Sequence, residues 1–445
     1  MNPRLRASSY ALLSLAALMF SPFLRAASVL MISIDGMRPD YVTQADAHHL
    51  KIPNLRRMLV EGTYAQGVIP VTPTVTYPNH TTLVTGVMPA VHGIYANQPF
   101  DPLRVNKDGW YWYAVDVRVP TLWQAVSAAG RVTASVEWPV TVNAPGIEYN
   151  LPEYRRAYTD DDIKLDEALA RPDGLLQELQ TRLGRYTSGA ADDASDDAVR
   201  TRFAAQIIRE RKPAFMTMHL ISLDGESHKT GPFSPRANAA LEMIDGMVGT
   251  LASAWRANGS DSIVAIVSDH GFASVTHVLN WRIPFIEAGL IDAQDPRKWQ
   301  ATLWGDPAAA VMLRNPADDA LKSRVRVVLA QLASDPANGV SQVLEGQDIR
   351  ALGAWPDAAF VIGLKAGFAF GGESEGPLVR ENPGGGTHGY LATEKEMRAA
   401  FMMTGEGVPH GRDLGTIDMR SIAPTLAKML GVPLARAELP ALELR

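Results

Sequence analysis

Three runs of apolar residues stand out along the chain. They are SVLMISI at 28–34, AFMTMHLISL at 214–223 and SIVAIVS at 262–268. Apolar runs of this length without polar alternation are typical of strands buried on both faces, as in a parallel sheet covered by helices. A weaker strand is predicted at 131–138, RVTASVEW.

Helical segments alternate with these strands. PTLWQAVSAAG ends at Gly130, and PRANAALEMIDGMVGTLASAW precedes the third apolar run. Near the C-terminus, TIDMRSIAPTLAKMLGVP is predicted to form a closing helix. Because strands and helices alternate, we predict a doubly wound α/β core with a mostly parallel sheet flanked by helices.

One long segment interrupts this alternation. It contains a strand-like AAAVMLRN, a helix-like DDALKSRVRVVLAQLAS and a glycine-rich stretch that ends in GGGTHGY. We therefore predict a smaller insertion (cap) domain at 272–383 within an α/β catalytic core formed by 28–271 and 384–445. The region 154–200, with its acidic ASDDA, is predicted to form surface helices and a solvated loop without a function.

The N-terminus has the layout of a signal peptide, which we assign to residues 1–27. Two arginines precede an apolar run at 10–20, and small residues follow at Ala26 and Ala27. That run is short for a bilayer span, and an uncleaved anchor is the alternative. We expect a periplasmic or secreted protein with no membrane span after cleavage.

Composition removes several classes of function. The 445 residues are 46% hydrophobic and 20% charged, and 42 basic against 48 acidic residues give a net charge of -6. This balance is typical of a globular protein and does not indicate a basic nucleic-acid-binding surface. The sequence has no cysteine, which excludes thiol chemistry and a sulfatase whose nucleophile matures from cysteine.

An aspartate follows each of the three apolar runs: Asp35, Asp224 and Asp269. Ligands of open parallel sheets bind outside the carboxyl ends of the strands, so the three carboxylates are expected to converge there. A single aspartate after a strand is more often a loop or cap residue. Three such residues, two of them close to a histidine, favour a functional site.

Three histidines complete a candidate metal site. His228 lies four residues after Asp224, His270 directly follows Asp269, and His388 lies in GGGTHGY. Six nitrogen and oxygen ligands exceed one tetrahedral zinc ion and suit two. The other histidines are interpreted as structural: His48, His49, His80, His92, His219, His277 and His410.

Six motifs carry a resemblance to a known family. IDGMRPD, TYPNH, HGIYAN, DGESHKTG, SDHG and GTHGY occur in that order. Together they resemble the alkaline phosphatase superfamily and, within it, the nucleotide pyrophosphatase/phosphodiesterases. The resemblance extends from Ser28 to the final helix and implies an alkaline-phosphatase-like core.

The resemblance also implies a set of ligands for two Zn²⁺ ions. The first ion would be held by Asp35, Thr76, Asp269 and His270. The second would be held by Asp224, His228 and His388, with one position left open for water or a phosphate oxygen. Three carboxylates and a threonine alkoxide would offset the charge of the two ions.

Catalytic and substrate-binding roles follow from the same resemblance. Thr76 would be the nucleophile, activated by zinc rather than by a base, and would form a phosphothreonine intermediate. Asn97 would donate to the phosphate together with a backbone N–H near Thr76. Tyr77 matches one of two aromatic residues that sandwich a nucleobase, but His219 stands where the family has the second, a tyrosine.

Other aromatic residues offer a substitute for that tyrosine. Trp110, Tyr111 and Trp112 either bind substrate in its place or form part of the core. The sequence alone does not separate these two interpretations.

The leading hypothesis is therefore an exported two-zinc phosphodiesterase or nucleotide pyrophosphatase acting on a small-molecule phosphodiester or nucleotide. The same metal site would serve a phosphomonoesterase, a phosphonate hydrolase or a lipid head-group phosphodiesterase. A zinc-binding surface protein without activity is a further alternative. The sequence makes no prediction of the oligomeric state.

Overall fold

The computed structural model describes residues 26–107, 109–191 and 193–444. The predicted signal peptide, 1–27, lies outside this part of the chain except for its last two residues. The strands are β1 (Ser28–Ile34), β2 (Thr63–Tyr64), β3 (Gly67–Ile69), β4 (Thr133–Val136), β5 (Tyr149–Leu151), β6 (Phe215–Leu220), β7 (Ser262–Val267), β8 (Ala273–Ser274), β9 (His277–Asn280), β10 (Ala301–Trp304), β11 (Ala308–Leu313), β12 (Val340–Glu345), β13 (Phe360–Leu364), β14 (Phe368–Gly371), β15 (Val379–Glu381), β16 (Gly386–Thr387), β17 (Phe401–Gly405), β18 (Arg412–Asp413) and β19 (Thr416–Asp418).

The helices alternate with the strands of the first half of the chain. They are α1 (Asp40–Thr43), α2 (Pro53–Glu61), α3 (Thr76–Thr85), α4 (Pro89–His92), α5 (Leu122–Ala128), α6 (Asp161–Leu169), α7 (Leu175–Leu183), α8 (Ala194–Arg211), α9 (Ser222–Thr230), α10 (Pro235–Arg256), α11 (Arg282–Glu287), α12 (Asp319–Ser334), α13 (Gln347–Leu352) and α14 (Ile422–Leu430). The predicted helices before Gly130, before β7 and at the C-terminus are confirmed as α5, α10 and α14. Within the described residues, no helix is both long and apolar enough to span a membrane.

A twisted sheet of eight strands forms the centre, in the order β18-β2-β17-β7-β1-β6-β4-β5. The five strands from β7 to β5 are all parallel, whereas β17 runs antiparallel to β7. Every residue of β6 and β7 is buried, as their continuous apolar character requires. The predicted mostly parallel sheet is confirmed.

Helices cover both faces of this sheet and create two separate cores. On one face, α2, α8 and α10 contribute residues such as Leu55, Phe203 and Leu241. On the other face, α3 and α14 contribute Leu83 and Leu426. The carboxyl ends of β1, β6 and β7 are left between these layers, and the candidate site lies there.

The segment predicted as an insertion forms smaller sheets of its own. Strands β10, β11, β13 and β12 make an antiparallel sheet, and β14, β9 and β15 make another. The apolar cluster beneath them joins Phe285 and Leu329 with Tyr390 and Met397, which lie after the segment in sequence. The boundaries at 272 and 383 stay a prediction.

One strand prediction needs correction. The apolar run at 214–223 is strand only from Phe215 to Leu220, because helix α9 begins at Ser222. Asp224 and His228 therefore lie one turn apart on a helix rather than in a loop at a strand end. The Asp197 carboxylate starts this helix by accepting hydrogen bonds from the backbone N–H groups of Ile221 and Ser222, at 2.9–3.2 Å.

The same contact corrects the prediction for the acidic region 154–200. Asp197, in ASDDA, is completely buried, and so is nearly all of Arg200, one turn later on α8. Arg200 pairs with Asp197 at 3.2 Å and with Glu137 at 3.4 Å. A buried cationic partner and backbone N–H donors thus stabilise acidic residues in the interior. Hydropathy alone predicts these residues to be exposed to solvent.

Replacing Asp197 with alanine should destabilise the protein strongly. The change removes the acceptor at the start of α9 and one partner of a buried ion pair, which typically costs about 3–5 kcal/mol. Urea unfolding would measure it. The control is Asp193→Ala on the same helix, where a cap to the Ser195 N–H is lost and about 1 kcal/mol is expected. Equal effects at the two positions would contradict this account of Asp197.

Candidate metal centre and active site

Two of the aspartates meet one histidine at the carboxyl end of the sheet. One ligand atom each of Asp35, Asp269 and His270 lie within 4.8 Å of one another. His270 Nε2 is 3.3 Å from Asp35 Oδ1 and 3.0 Å from Asp269 Oδ2. Asp35 follows β1 directly and Asp269 follows β7 by one residue, so parallel pairing of these strands brings the two carboxylates together.

A second group lies beside the first and shares His270. One ligand atom each of Asp224, His270 and His388 also lie within 4.8 Å of one another. The rings of His270 and His388 are stacked with centroids 3.6 Å apart, and His388 Nε2 is 3.5 Å from Asp224 Oδ1. The structure thus provides two adjacent places where a metal ion could be held.

His228 stands at the outer edge of the second place. Its Nε2 atom is 3.4 Å from Asp224 Oδ2, and its ring centroid is 5.0 Å from that of His388. The His228 side chain is 42% exposed, in contrast to the buried His270. The structure therefore brings together all three histidines and all three aspartates that the sequence indicated.

Main-chain oxygens orient the three histidine rings. In each ring the Nδ1 atom lies 3.0–3.2 Å from a backbone carbonyl, which can only accept a hydrogen bond. The partners are Gly271 O for His270, Thr74 O for His388 and Gly386 O for His228. With the proton on Nδ1, each neutral ring would present the lone pair of Nε2 to a metal ion bound in the centre.

The charges of the centre call for a cation. Burial, together with repulsion from Asp269 and Asp224, raises the pKa of Asp35 well above its ordinary range. Asp35 Oδ1, Asp269 Oδ2 and His270 Nε2 are buried, face one another and make no hydrogen bond among the described residues. Buried polar atoms without partners are costly, and a divalent ion would satisfy all three. The residues therefore fit a metal.

Burial also lowers the pKa of His388 well below its ordinary value, and the neighbouring His270 and His228 rings add to this effect. A neutral imidazole is the form that binds a metal. His388 is therefore in the protonation state that a ligand requires.

Thr76 begins helix α3 close to this centre. The residue before it, Val75, is extended and caps no helix N–H with its side chain. The Nδ1 atom of His80 is 2.9 Å from the main-chain oxygen of Thr76 and 3.5 Å from Asp269 Oδ2. His80, interpreted from the sequence as structural, thus connects the turn of Thr76 to a carboxylate of the centre.

Asn97 is hydrogen-bonded to the first turn of α3. Its Oδ1 atom accepts a hydrogen bond of 2.9 Å from the backbone N–H of Tyr77. The N–H of Tyr77, which is one of the backbone N–H groups near Thr76, is therefore engaged by Asn97 itself. Since the oxygen faces the N–H, the amide nitrogen of Asn97 is the atom left for another partner.

Tyr77 lies under an aromatic cluster. Its side chain is completely buried, and its ring meets those of Trp110 and Trp112 edge-on at 5.1 and 5.9 Å. Trp112 is buried as well, whereas Trp110 keeps part of its surface exposed. A substrate could reach Tyr77 only if this cluster moved, so its role in binding stays a prediction.

Sequence reasoning missed two further residues of the site. His219 places its Nε2 atom 3.0 Å from Asp35 Oδ2. The Thr74 hydroxyl donates to the oxygen of Tyr390 and accepts from the N–H of Gly389, which joins the loop of His388 to the strand-helix turn before Thr76. These contacts depend on chain segments far apart in sequence, and no local motif indicates them.

The structure is thus an α/β protein with a candidate metal site, formed by aspartates and histidines at the carboxyl edge of its parallel strands. The family model for type I phosphodiesterase/nucleotide pyrophosphatase matches residues 29–391. The chain belongs to this family.

Curated relatives share only part of their length with this chain. An uncharacterized pyrophosphatase/phosphodiesterase of Schizosaccharomyces pombe is 28% identical over 259 residues, which is 55% of this chain and 45% of the relative. Human ectonucleotide pyrophosphatase/phosphodiesterase family member 1 is 26% identical over 254 residues, 54% of this chain and 23% of the relative. The chain thus matches less than half the length of these proteins.

Solved structures share the fold over almost the whole chain. Human ectonucleotide pyrophosphatase/phosphodiesterase 5 gives a TM-score of 0.66 at 19% identity and covers 91% of this chain and 95% of its own. An inactive threonine-to-alanine variant of the murine protein, in complex with AMP, gives 0.65 at 19% identity and covers 93% and 96%. The alkaline-phosphatase-like fold is confirmed.

The position of His270 beside both ligand groups predicts which substitutions should reduce the number of bound metal ions. Because His270 is a proposed ligand of the first ion and its ring stacks on that of His388 in the second group, His270→Ala should lower the occupancy of both places, whereas His228→Ala should lower only one. Equilibrium dialysis against zinc followed by elemental analysis would count the bound ions. A His270 variant that retains as many ions as the wild type would contradict the site geometry.

Proposed function

We propose that this chain is a two-zinc phosphodiesterase or nucleotide pyrophosphatase that uses Thr76 as its nucleophile. The observation that carries the proposal is the pair of ligand groups joined by His270, next to the helix that begins at Thr76. Membership of the type I phosphodiesterase/nucleotide pyrophosphatase family supports it. The whole ligand set is buried or half-buried apart from His228, which suits a site open at one side.

The proposed ligands divide into two sets. Asp35, Thr76, Asp269 and His270 would hold the first ion, and Asp224, His228 and His388 would hold the second. Nitrogen and carboxylate oxygen donors in these numbers are those that zinc binds. Bound zinc would act as a Lewis acid that lowers the pKa of the threonine hydroxyl and of a water molecule and offsets phosphate charge.

Thr76 attacks phosphorus through its hydroxyl oxygen in line with the leaving group. The new bond between Thr76 Oγ1 and phosphorus forms as the bond to the first alcohol or phosphate breaks, which gives a phosphothreonine. Water then cleaves this ester and restores the hydroxyl. His80 does not act as the base in this proposal, because zinc coordination would lower the pKa of the threonine hydroxyl.

Asn97 binds a non-bridging phosphate oxygen in this proposal. The bond from the Tyr77 N–H fixes the amide oxygen of Asn97 and therefore the direction of its amide hydrogens. A donor whose direction is set before the reaction needs no reorganisation as charge develops on the phosphate. The N-terminal end of α3 adds a positive dipole to the same region.

Replacing Thr76 with alanine should lower turnover by at least about 10³-fold, because the nucleophilic oxygen is removed. The protein should keep its zinc, because Asp35, Asp269 and His270 remain as ligands of the first ion. Thr76→Ser retains a hydroxyl and should keep measurable activity. Steady-state hydrolysis of an aryl phosphodiester and zinc analysis of the same samples would test this. The matched control is Thr85→Ala at the other end of α3, where the hydroxyl donates a hydrogen bond to Thr81 O. An active Thr76→Ala variant would rule out the assigned nucleophile.

The ester class is tested by comparing kcat/KM for an aryl phosphodiester with that for the matching monoester. Among the described residues, Asp35 and Asp269 form their ion pairs with histidines, so the second negative charge of a monoester would meet no arginine or lysine paired with these carboxylates. We expect the diester to be preferred. A monoester preference would favour the phosphomonoesterase hypothesis. A panel of nucleoside triphosphates, dinucleotides, glycerophosphodiesters and phosphonates would then define the leaving group.

A further inference from the structure

A histidine outside both ligand sets lies directly behind Asp35. His219 is 1% exposed and is paired with Ser33 in the parallel register of β6 and β1. Its Nε2 atom is 3.0 Å from Asp35 Oδ2, and its Nδ1 atom is 3.2 Å from the main-chain oxygen of Glu137. The ring therefore bridges a carboxylate of the centre and a carbonyl of the scaffold.

Both atoms that face the ring are hydrogen-bond acceptors, and only one of them carries a charge. A neutral imidazole has a single N–H. With that proton on Nδ1, the lone pair of Nε2 would point at a carboxylate 3.0 Å away, which is the more repulsive arrangement. When Asp35 is ionised, as a metal ligand must be, His219 therefore donates from Nε2 to Asp35 Oδ2.

The carbonyl on the other side of the ring is held firmly. Glu137 has a left-handed φ of 57°, which is unusual for a residue other than glycine. Its carboxylate accepts a hydrogen bond from the Tyr186 hydroxyl at 3.0 Å and pairs with Arg155 at 3.0 Å. The main-chain oxygen that packs against the Nδ1 side of His219 thus belongs to a residue whose side chain is itself anchored.

This contact separates the two oxygens of Asp35. Oδ2 is engaged by His219, whereas Oδ1 is buried, accepts no hydrogen bond from the described residues and lies 3.3 Å from His270 Nε2. We propose that His219 is a positioning residue that holds Asp35 so that Oδ1 alone is presented to the first ion. This inference rests on the proposed function, since it concerns a ligand of the proposed metal centre.

His219 thus has a different role from the one that the family resemblance implies for this position. The family resemblance places a tyrosine here that packs against a nucleobase. In this chain the histidine is buried behind the centre and contacts a ligand rather than the substrate side. The position therefore supports metal binding in this protein instead of selecting a base.

Zinc affinity of the full-length protein, measured by competition with a chromophoric chelator, tests the proposal without relying on activity. His219→Leu keeps an apolar bulk of similar size but has no donor. His219→Gln carries an amide N–H at about the reach of Nε2. The matched control is Thr217→Val, because Thr217 lies on the same strand, is fully buried and donates a hydrogen bond to the Ser135 hydroxyl.

We expect His219→Leu to lose about 10- to 100-fold in affinity for one of the two zinc ions, with the glutamine variant recovering most of that loss and the control unchanged. A leucine variant that binds both ions as tightly as the wild type would overturn the proposal. An equal loss in Thr217→Val would also overturn it, because it would show a general loosening of β6. A wild-type protein that binds no zinc would instead defeat the proposed function.

Thermal unfolding of the metal-free proteins shows whether each variant is folded. If His219→Leu fails to fold, the comparison of His219→Gln with His219→Asn decides the question. Asparagine is too short to reach Asp35 Oδ2 and should bind the first ion more weakly than glutamine. Equal affinities of these two variants would overturn the assigned role.

Discussion

The concentration of negative charge at the carboxyl edge of the sheet is the constraint on which the rest of the structure depends. Parallel pairing of β1 with β7 forces Asp35 and Asp269 into one buried volume, and α9 adds Asp224 to it. Three carboxylates cannot share such a volume in their charged form without compensation. Histidines supply the surrounding contacts, and a pair of divalent ions would supply the missing charge.

Contacts from several parts of the fold hold the ligand-bearing segments of this centre in place. Thr74 ties the loop of His388 to the turn that leads to Thr76, and His80 ties that turn to Asp269. Behind the centre, the Arg200–Asp197 pair sets where α9 begins. Many of these contacts are hydrogen bonds to main-chain atoms, which are positioned by the sheet itself. The site is thus rigid because the scaffold around it is buried and paired.

Part of this arrangement could be predicted from the sequence. The strands at 28–34 and 262–268 were predicted to within one residue, since continuous apolar runs bounded by polar residues are strong signals. The residues after them, Asp35 and Asp269, lie where such signals place them. The strand prediction for 214–223 was wrong at its end, because an apolar stretch does not distinguish a strand from the start of a buried helix. The start of that helix is determined by Asp197, which lies more than twenty residues earlier in the chain.

The supporting residues were beyond prediction for a related reason. His219 and His80 carry no local pattern that separates them from core histidines, and their partners come from other strands.

Crystals of the zinc-loaded protein, with anomalous scattering recorded across the zinc edge, would test the central claim most directly. We predict two peaks that share His270 as a neighbour, one beside Asp35 and Asp269 and the other beside Asp224 and His388. No peak at this edge of the sheet, or a single peak away from Asp35, would contradict the account.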